Sequence, residues 1–225
     1  IRNDRVAWGS SMIACKDADA MVTGNIRHYA ASVEKLKKFV DAREGETIFG
    51  MTIIVSKGKT VLVADTNVHD FPSSERLVNT SISCVRVARL FGFEPKVAFL
   101  SHSTFGKPVS RNTKHVRDAI ELLKTKKVDF DFDGEMQPDV ALNPIYQEVY
   151  PFSKIVGRAN ILIMPALHSA AISTKLMKTF GGAKLIGPLL IGLGLPIEVA
   201  PLRSSTSDIL NLASVAAYSS DVIDY

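Results

Sequence analysis

The chain has 225 residues, 46% hydrophobic and 22% charged, which is enough apolar material to pack one or two ordinary globular domains and excludes a disordered or fibrous class. Lys and Arg outnumber Asp and Glu by 27 to 23, a net charge of +4. The basic residues form no run denser than Lys124-Thr125-Lys126-Lys127 and do not alternate with the 8% aromatics, so a small anionic ligand suits the balance and no nucleic-acid partner is expected. Two cysteines, Cys15 and Cys84, each in a predicted helix and without metal-ligand spacing or a signal-peptide pattern ahead of them, point to a reducing, cytoplasmic setting. The longest apolar stretch, 186–196, is interrupted by Gly187, Pro188, Gly192 and Gly194, so no membrane span is expected.

In chain order, residues 6–14 carry helical apolar spacing, 18–22 strand-like spacing, and 30–39 a second helix after the break at Gly24. The chain opens on Ile1 in mid-pattern, which reads as a piece of a longer polypeptide. Residues 48–55 and 61–64 are β-rich and joined by Ser56-Lys57-Gly58-Lys59, a predicted hairpin. Serines at 73 and 74 cap a helix over 77–91 that stops at Gly92. The apolar run 97–100 then delivers a hydroxyl-rich exit, Ser101-His102-Ser103-Thr104-Phe105-Gly106. In open α/β sheets ligands sit beyond the carboxyl ends of the strands, so this exit is a candidate binding loop; alternatively its hydroxyls serve only local backbone. A helix over 115–126 follows, with Val116, Ile120 and Leu123 on one face. The polar cluster Asp133-Gly134-Glu135-Met136-Gln137-Pro138-Asp139 reads as a turn that could orient a ligand or brace loops. A strand over 159–164, stopped by Pro165, leads to a helix over 169–180. Two short apolar pieces within 186–199 and a helix over 209–217 close the chain. Alternation of strand and helix predicts a mostly parallel α/β sheet with helices on both faces, on which the loops 101–106, 133–139 and 165–169 meet at one end.

No dinucleotide fingerprint, Walker loop, nucleophile elbow or paired-histidine metal spacing is present, so no metal site is assigned and nicotinamide binding by this stretch is not expected. His168, just after a strand exit, reads as a packing residue. Asp208 admits two readings: a general base at a cleft mouth, or the acid of a capping box with Ser205.

The segments 101–106 and 133–139, Ala159 to Leu167, Lys175 and Gly187 to Gly192 fall in the order seen in phosphate acetyltransferases, and the chain resembles that family over essentially its whole length. The stretches 18–29 and 209–213 look most like the phosphotransacetylase-like C-terminal domain of bacterial NADP-dependent malic enzymes. The resemblance implies two α/β subdomains with an acyl-CoA cleft between them: 46–190 as the second, and 1–45 with 191–225 as the remnant of an incomplete first. It implies acetyl-CoA or another CoA ester as ligand, held by Ser101, Ser103, Gly106, Asp133, Glu135, Gln137, Lys175 and Arg203, with Asp208 at the catalytic position. NADP and a divalent metal would belong to an absent malate-oxidising half, and a homo-oligomer is expected, with dimerisation through exposed core edges of the incomplete subdomain. Departures accompany the match. The Ser-Arg pair that active transferases carry before the acid is Pro201 and Leu202 here, Arg203 is one place off, a helix arginine is replaced by Glu34, and an asparagine by Ala171. The implied function is a regulatory and oligomerisation domain without transferase activity; an active phosphate acetyl/butyryltransferase and a purely structural assembly module are the alternatives.

Overall fold

In the computed structural model, which describes residues 3–65 and 68–223, the chain runs α1 (Arg5–Ala14), β1 (Met21–Gly24), α2 (Tyr29–Leu36), β2 (Phe49–Ser56), β3 (Lys59–Ala64), α3 (Ser74–Leu90), β4 (Lys96–Leu100), α4 (Lys114–Thr125), β5 (Asp131–Met136), α5 (Pro138–Leu142), β6 (Ile161–Ile163), α6 (Leu167–Thr179), β7 (Lys184–Ile191), β8 (Ile197–Ala200) and α7 (Thr206–Val222). The contacts divide it into two compact units, Ile1–Thr52 with Ile186–Tyr225, and Ile53–Leu185, so the division falls inside β2 and β7.

The first unit is built on a parallel pair, β1 and β8, in register from Met21 beside Ile197 to Gly24 beside Ala200. Helices α1, α2 and α7 pack around it. Gly24 is fixed by this pairing: its φ is +107°, and a Cβ there would lie 2.3 Å from the Ala200 carbonyl oxygen. Asp4 caps α1 by accepting from Val6 and Ala7 N–H, and it pairs with Lys35 at 2.8 Å, which holds its carboxyl below the usual range. All four residues of β8 are buried, Glu198 included; its Oε2 accepts the Leu190 N–H at 2.8 Å.

In the second unit β3, β4, β5 and β6 are mutually parallel in the order β5-β4-β6-β3, the mostly parallel arrangement expected from the alternation. Beside β3 lies β2, joined to it by Lys57 and Gly58, both at positive φ as a two-residue hairpin requires. Along β4 the side chains alternate. Phe99 faces Ile120 of α4, while Ala98 and Leu100 join Ile54, Val63 and Leu162 in a cluster on the opposite face with Ala141, Ile155 and Ala170. Helix α3 starts at the Ser73 cap and ends against Gly92 at positive φ.

The predicted turn at 133–139 is not a turn. Residues up to Met136 form β5, paired with β4, and α5 begins at Pro138. Gly134 marks a close approach of two strands rather than a reversal: a Cβ would meet the Phe99 carbonyl oxygen at 2.7 Å, beside a register shift between Phe99 and Leu100. Smaller shifts affect β1, which starts at Met21, and α6, which starts at Leu167. Cys15 follows α1 as its cap residue and is exposed, whereas Cys84 is buried inside α3. Among the described residues no helix is long and apolar enough to cross a membrane.

Candidate ligand site

Because β3, β4, β5 and β6 run the same way, the segments that leave them share one edge of the second unit. The exit from β4 is tied down from within. Ser101 and Ser103 are buried with their hydroxyls 3.1 Å apart, and Ser103 Oγ donates to Glu135 Oε1 at 2.7 Å. The same oxygen accepts from Gly106 N–H at 3.2 Å and from Arg117 Nη1 at 3.2 Å. Arg117 in turn donates to Thr113 Oγ1 at 2.7 Å and to the Ser110 carbonyl at 2.9 Å. Gln137 closes the other side, its backbone N–H donating to Thr104 Oγ1 and its side-chain amide to the His102 carbonyl.

Five of the expected ligand residues, Ser101, Ser103, Gly106, Glu135 and Gln137, therefore come together in a single network. Its bonds run between protein groups. Glu135 is 1% exposed and one of its oxygens takes three donors, which makes it a brace for the loop rather than a surface offered to a ligand. Asp133 lies apart from the network: its oxygens accept Gly134 N–H and Lys154 N–H. Lys175 is exposed on α6, and so is His168, which is not the packing residue expected. In the first unit Arg203 is exposed in a left-handed turn (φ 60°), its N–H donating to the Asn25 carbonyl. Asp208 forms the capping box of α7: Oδ2 accepts Ser205 N–H at 2.9 Å and Ser205 Oγ–H at 2.8 Å, while Ser205 Oγ accepts Asp208 N–H.

Two features escaped the sequence reading. Arg117 sits beside the apolar stripe of α4, and nothing local marks its partner 18 positions away. At the end of β3, Asp65 accepts from Val68 and His69 N–H and from His69 Nδ1 at 2.7 Å, which leaves His69 Nε2 to accept from Arg76. The signal available was the polar segment following the apolar run 61–64. Nearby, His115 Nε2 donates to the Pro165 carbonyl at 2.9 Å. No group of three or more His, Cys, Asp or Glu among the described residues is placed to hold a metal ion.

The α/β fold with its mostly parallel sheet is shared with solved phosphotransacetylases. A phosphotransacetylase from Streptococcus pyogenes superposes with a TM-score of 0.88 at 28% identity, over 96% of this chain and 67% of that one, and the EutD phosphotransacetylase from Staphylococcus aureus with 0.85 at 26%. The sequence profile of the phosphate acetyl/butaryl transferase family matches residues 1–217, and the chain belongs to that family. Among curated relatives, the NADP-dependent malic enzyme of Rhizobium meliloti is 45% identical over 218 residues, 97% of this chain and 29% of that protein. The phosphate acetyltransferase of Bacillus subtilis is 31% identical over 95% of this chain and 67% of its own length. The chain thus spans under a third of the malic enzyme it matches.

Proposed function

We propose that this chain is the phosphotransacetylase-like domain of an NADP-dependent malic enzyme, that it does not transfer acyl groups to phosphate, and that it holds acetyl-CoA or a related CoA ester as an effector within a homo-oligomer. Malate oxidation, NADP and the divalent metal belong to the remainder of the parent polypeptide. The observation that carries the reading is the state of residues 201–208. Pro201 and Leu202 supply neither the hydroxyl nor the guanidinium that the family resemblance implies there, and Asp208 has one carboxylate oxygen engaged by two hydrogen bonds of its own helix cap. Acyl transfer to phosphate depends on donors and cations aimed at developing charge, and losing one such donor typically costs about 3 kcal/mol of transition-state stabilisation.

Binding makes smaller demands than transfer. Backbone donors and a few cations hold a phosphorylated ligand, and Lys175 and Arg203, each exposed in its own unit, are candidates for that role. Three measurements test the reading: acetyl transfer from acetyl-CoA to phosphate by the purified chain, calorimetric titration with acetyl-CoA, and malate-dependent NADP reduction by the parent enzyme with and without acetyl-CoA. No transfer, saturable binding and a changed malate rate are expected, with binding weakened in Lys175→Ala and Arg203→Ala. Robust acetyl-phosphate formation would refute the reading in favour of an active transferase; absence of both binding and rate effect would refute the effector role.

A further inference from the structure

A neutral imidazole carries one N–H and one bare nitrogen, and the partners of the ring decide which is which. At the end of β3 both nitrogens of His69 are assigned by their partners. Asp65, 4% exposed, accepts from Val68 N–H at 3.2 Å and His69 N–H at 3.1 Å, and its Oδ2 lies 2.7 Å from Nδ1. A carboxylate only accepts, so Nδ1 carries the hydrogen. The guanidinium of Arg76, in the first turn of α3, is directed at Nε2 and only donates, so Nε2 is bare. His69 is thus a neutral joint between an anion and a cation, and its side chain is 17% exposed, open enough to exchange a proton with water. The titratable groups on the elements around it have other engagements. Next in sequence is Asp70, whose carbonyl receives the Leu167 N–H of α6, where His168 is exposed. On α3, hydrogen bonds from its own N–H and from Ser73 hold the Glu75 carboxyl below the usual range, and burial with the charge of Asp65 pushes the Cys84 thiol up. On α4, Lys114 pairs with Asp118 at 2.6 Å and Arg117 with Glu135 at 3.2 Å, while His115 stacks on Phe71 at 4.5 Å and donates to the Pro165 carbonyl.

We propose that Asp65, His69 and Arg76 form a proton-operated latch: neutral His69 holds Arg76 against the segment after β3, and a proton added at Nε2 releases the guanidinium to bind an oxyanion at the strand-end edge. The proton comes from solvent and bonds to the Nε2 lone pair, while the Nδ1 hydrogen stays on Asp65, so no other group changes its charge. Nε2–H and the guanidinium are then two cationic donors facing each other, and attraction turns into repulsion. Asp65 keeps its hold on the ring through Nδ1, so the partner that moves is Arg76, whose long side chain is only partly buried. By linkage, an oxyanion that takes the released guanidinium draws a proton onto His69, and anion affinity rises as pH falls. The latch requires neither the CoA ester nor the oligomer of the proposed function, and it stands or falls separately from them.

Long-range proton–nitrogen NMR of the full chain from about pH 8 down to about pH 5, the range over which histidine side chains change charge, tests the latch. At the upper end His69 is expected to show a protonated Nδ1 and a bare Nε2. As Nε2 gains its proton, the protection of the Arg76 guanidinium hydrogens, corrected for the intrinsic pH dependence of exchange, is expected to fall about 10-fold or more, a readout that requires no variant. Sulfate, the oxyanion probe, is expected at constant ionic strength to carry the His69 transition to higher pH in wild type and to leave it in place in Arg76→Gln. His69→Gln keeps an acceptor for Arg76 and cannot titrate, so the protection of Arg76 is expected to stay level across the range. A hydrogen on Nε2 at every pH, an Arg76 whose protection holds while Nε2 is protonated, a fall that persists in His69→Gln, or a sulfate effect that is absent in wild type or equal in Arg76→Gln each overturns the proposal.

Discussion

Glu198 is a carboxyl group buried at 4% exposure in β8, and burial pushes its pKa from the ordinary 4.5 up to about 8, partly offset by the hydrogen bond from Leu190 N–H. Above pH 4.5 the unfolded chain releases this proton while the folded chain keeps it, so the folded state binds more protons and stability falls as pH rises. The slope is about 1.4 kcal/mol per pH unit until the folded group also ionises near pH 8, on the order of 5 kcal/mol over the whole window. Below 4.5 and above 8 this group contributes no slope. Glu198→Gln removes the titration and keeps an acceptor for Leu190. Urea unfolding of wild type and variant between pH 5 and pH 8 is the assay, and the difference between the two curves cancels every other titrating group. The variant is expected to gain on wild type by several kcal/mol across that range, crossing from near neutral at pH 5 to clearly more stable at pH 8. Parallel curves, with no pH-dependent difference, would show that Glu198 ionises when folded and would refute the reasoning.

Breaking the loop brace with Arg117→Ala leaves Glu135 with two of its three donors and is expected to cost about 1–3 kcal/mol by chemical denaturation, with faster exchange of the amides of 101–107. Gly24→Ala places a methyl group against the Ala200 carbonyl at a φ unsuited to it, and should lower stability by about 2–4 kcal/mol, read as a drop in thermal midpoint. Asp208→Ala removes the acid of the capping box and is expected to cost about 1 kcal/mol. A thiol reagent should titrate one fast cysteine in the folded chain, Cys15, and the second only on unfolding, because burial and the charge of Asp65 push the Cys84 thiol up.

What the sequence made legible were features whose cause is local. The run 97–100 with its hydroxyl exit became β4 and its loop, and Ser205 with Asp208 became a capping box because three positions along a helix start suffice to bring them together. Asp133-Gly134 misled for the complementary reason. The pair has the composition of a turn, but glycine stands there because a strand 35 positions earlier comes too close for a Cβ, a tertiary fact that leaves no local trace. The same holds for Arg117 and Glu135, and the exposure of His168 depends on where α6 begins rather than on the proline before it.

The two arginines at the strand ends bear on chemistry as well. Arg117 is spent on Glu135 and two oxygens of its own loop, and Arg76 on His69, which Asp65 holds in turn. A guanidinium that neutralises a carboxylate of its own unit contributes little field to a phosphate, and an arginine directed at a histidine nitrogen has part of its donor fork committed. Phosphoryl-directed catalysis needs cations preorganised toward the reacting oxygens, whereas these two serve the loops after β3 and β4. Restoring Pro201→Ser and Leu202→Arg together should therefore leave acetyl transfer to phosphate far below that of a working transferase, because the strand-end arginines remain engaged with their own scaffold. Substantial activity in that double variant, measured as CoA release dependent on phosphate, would show instead that the engagement of Arg76 and Arg117 does not limit acetyl transfer.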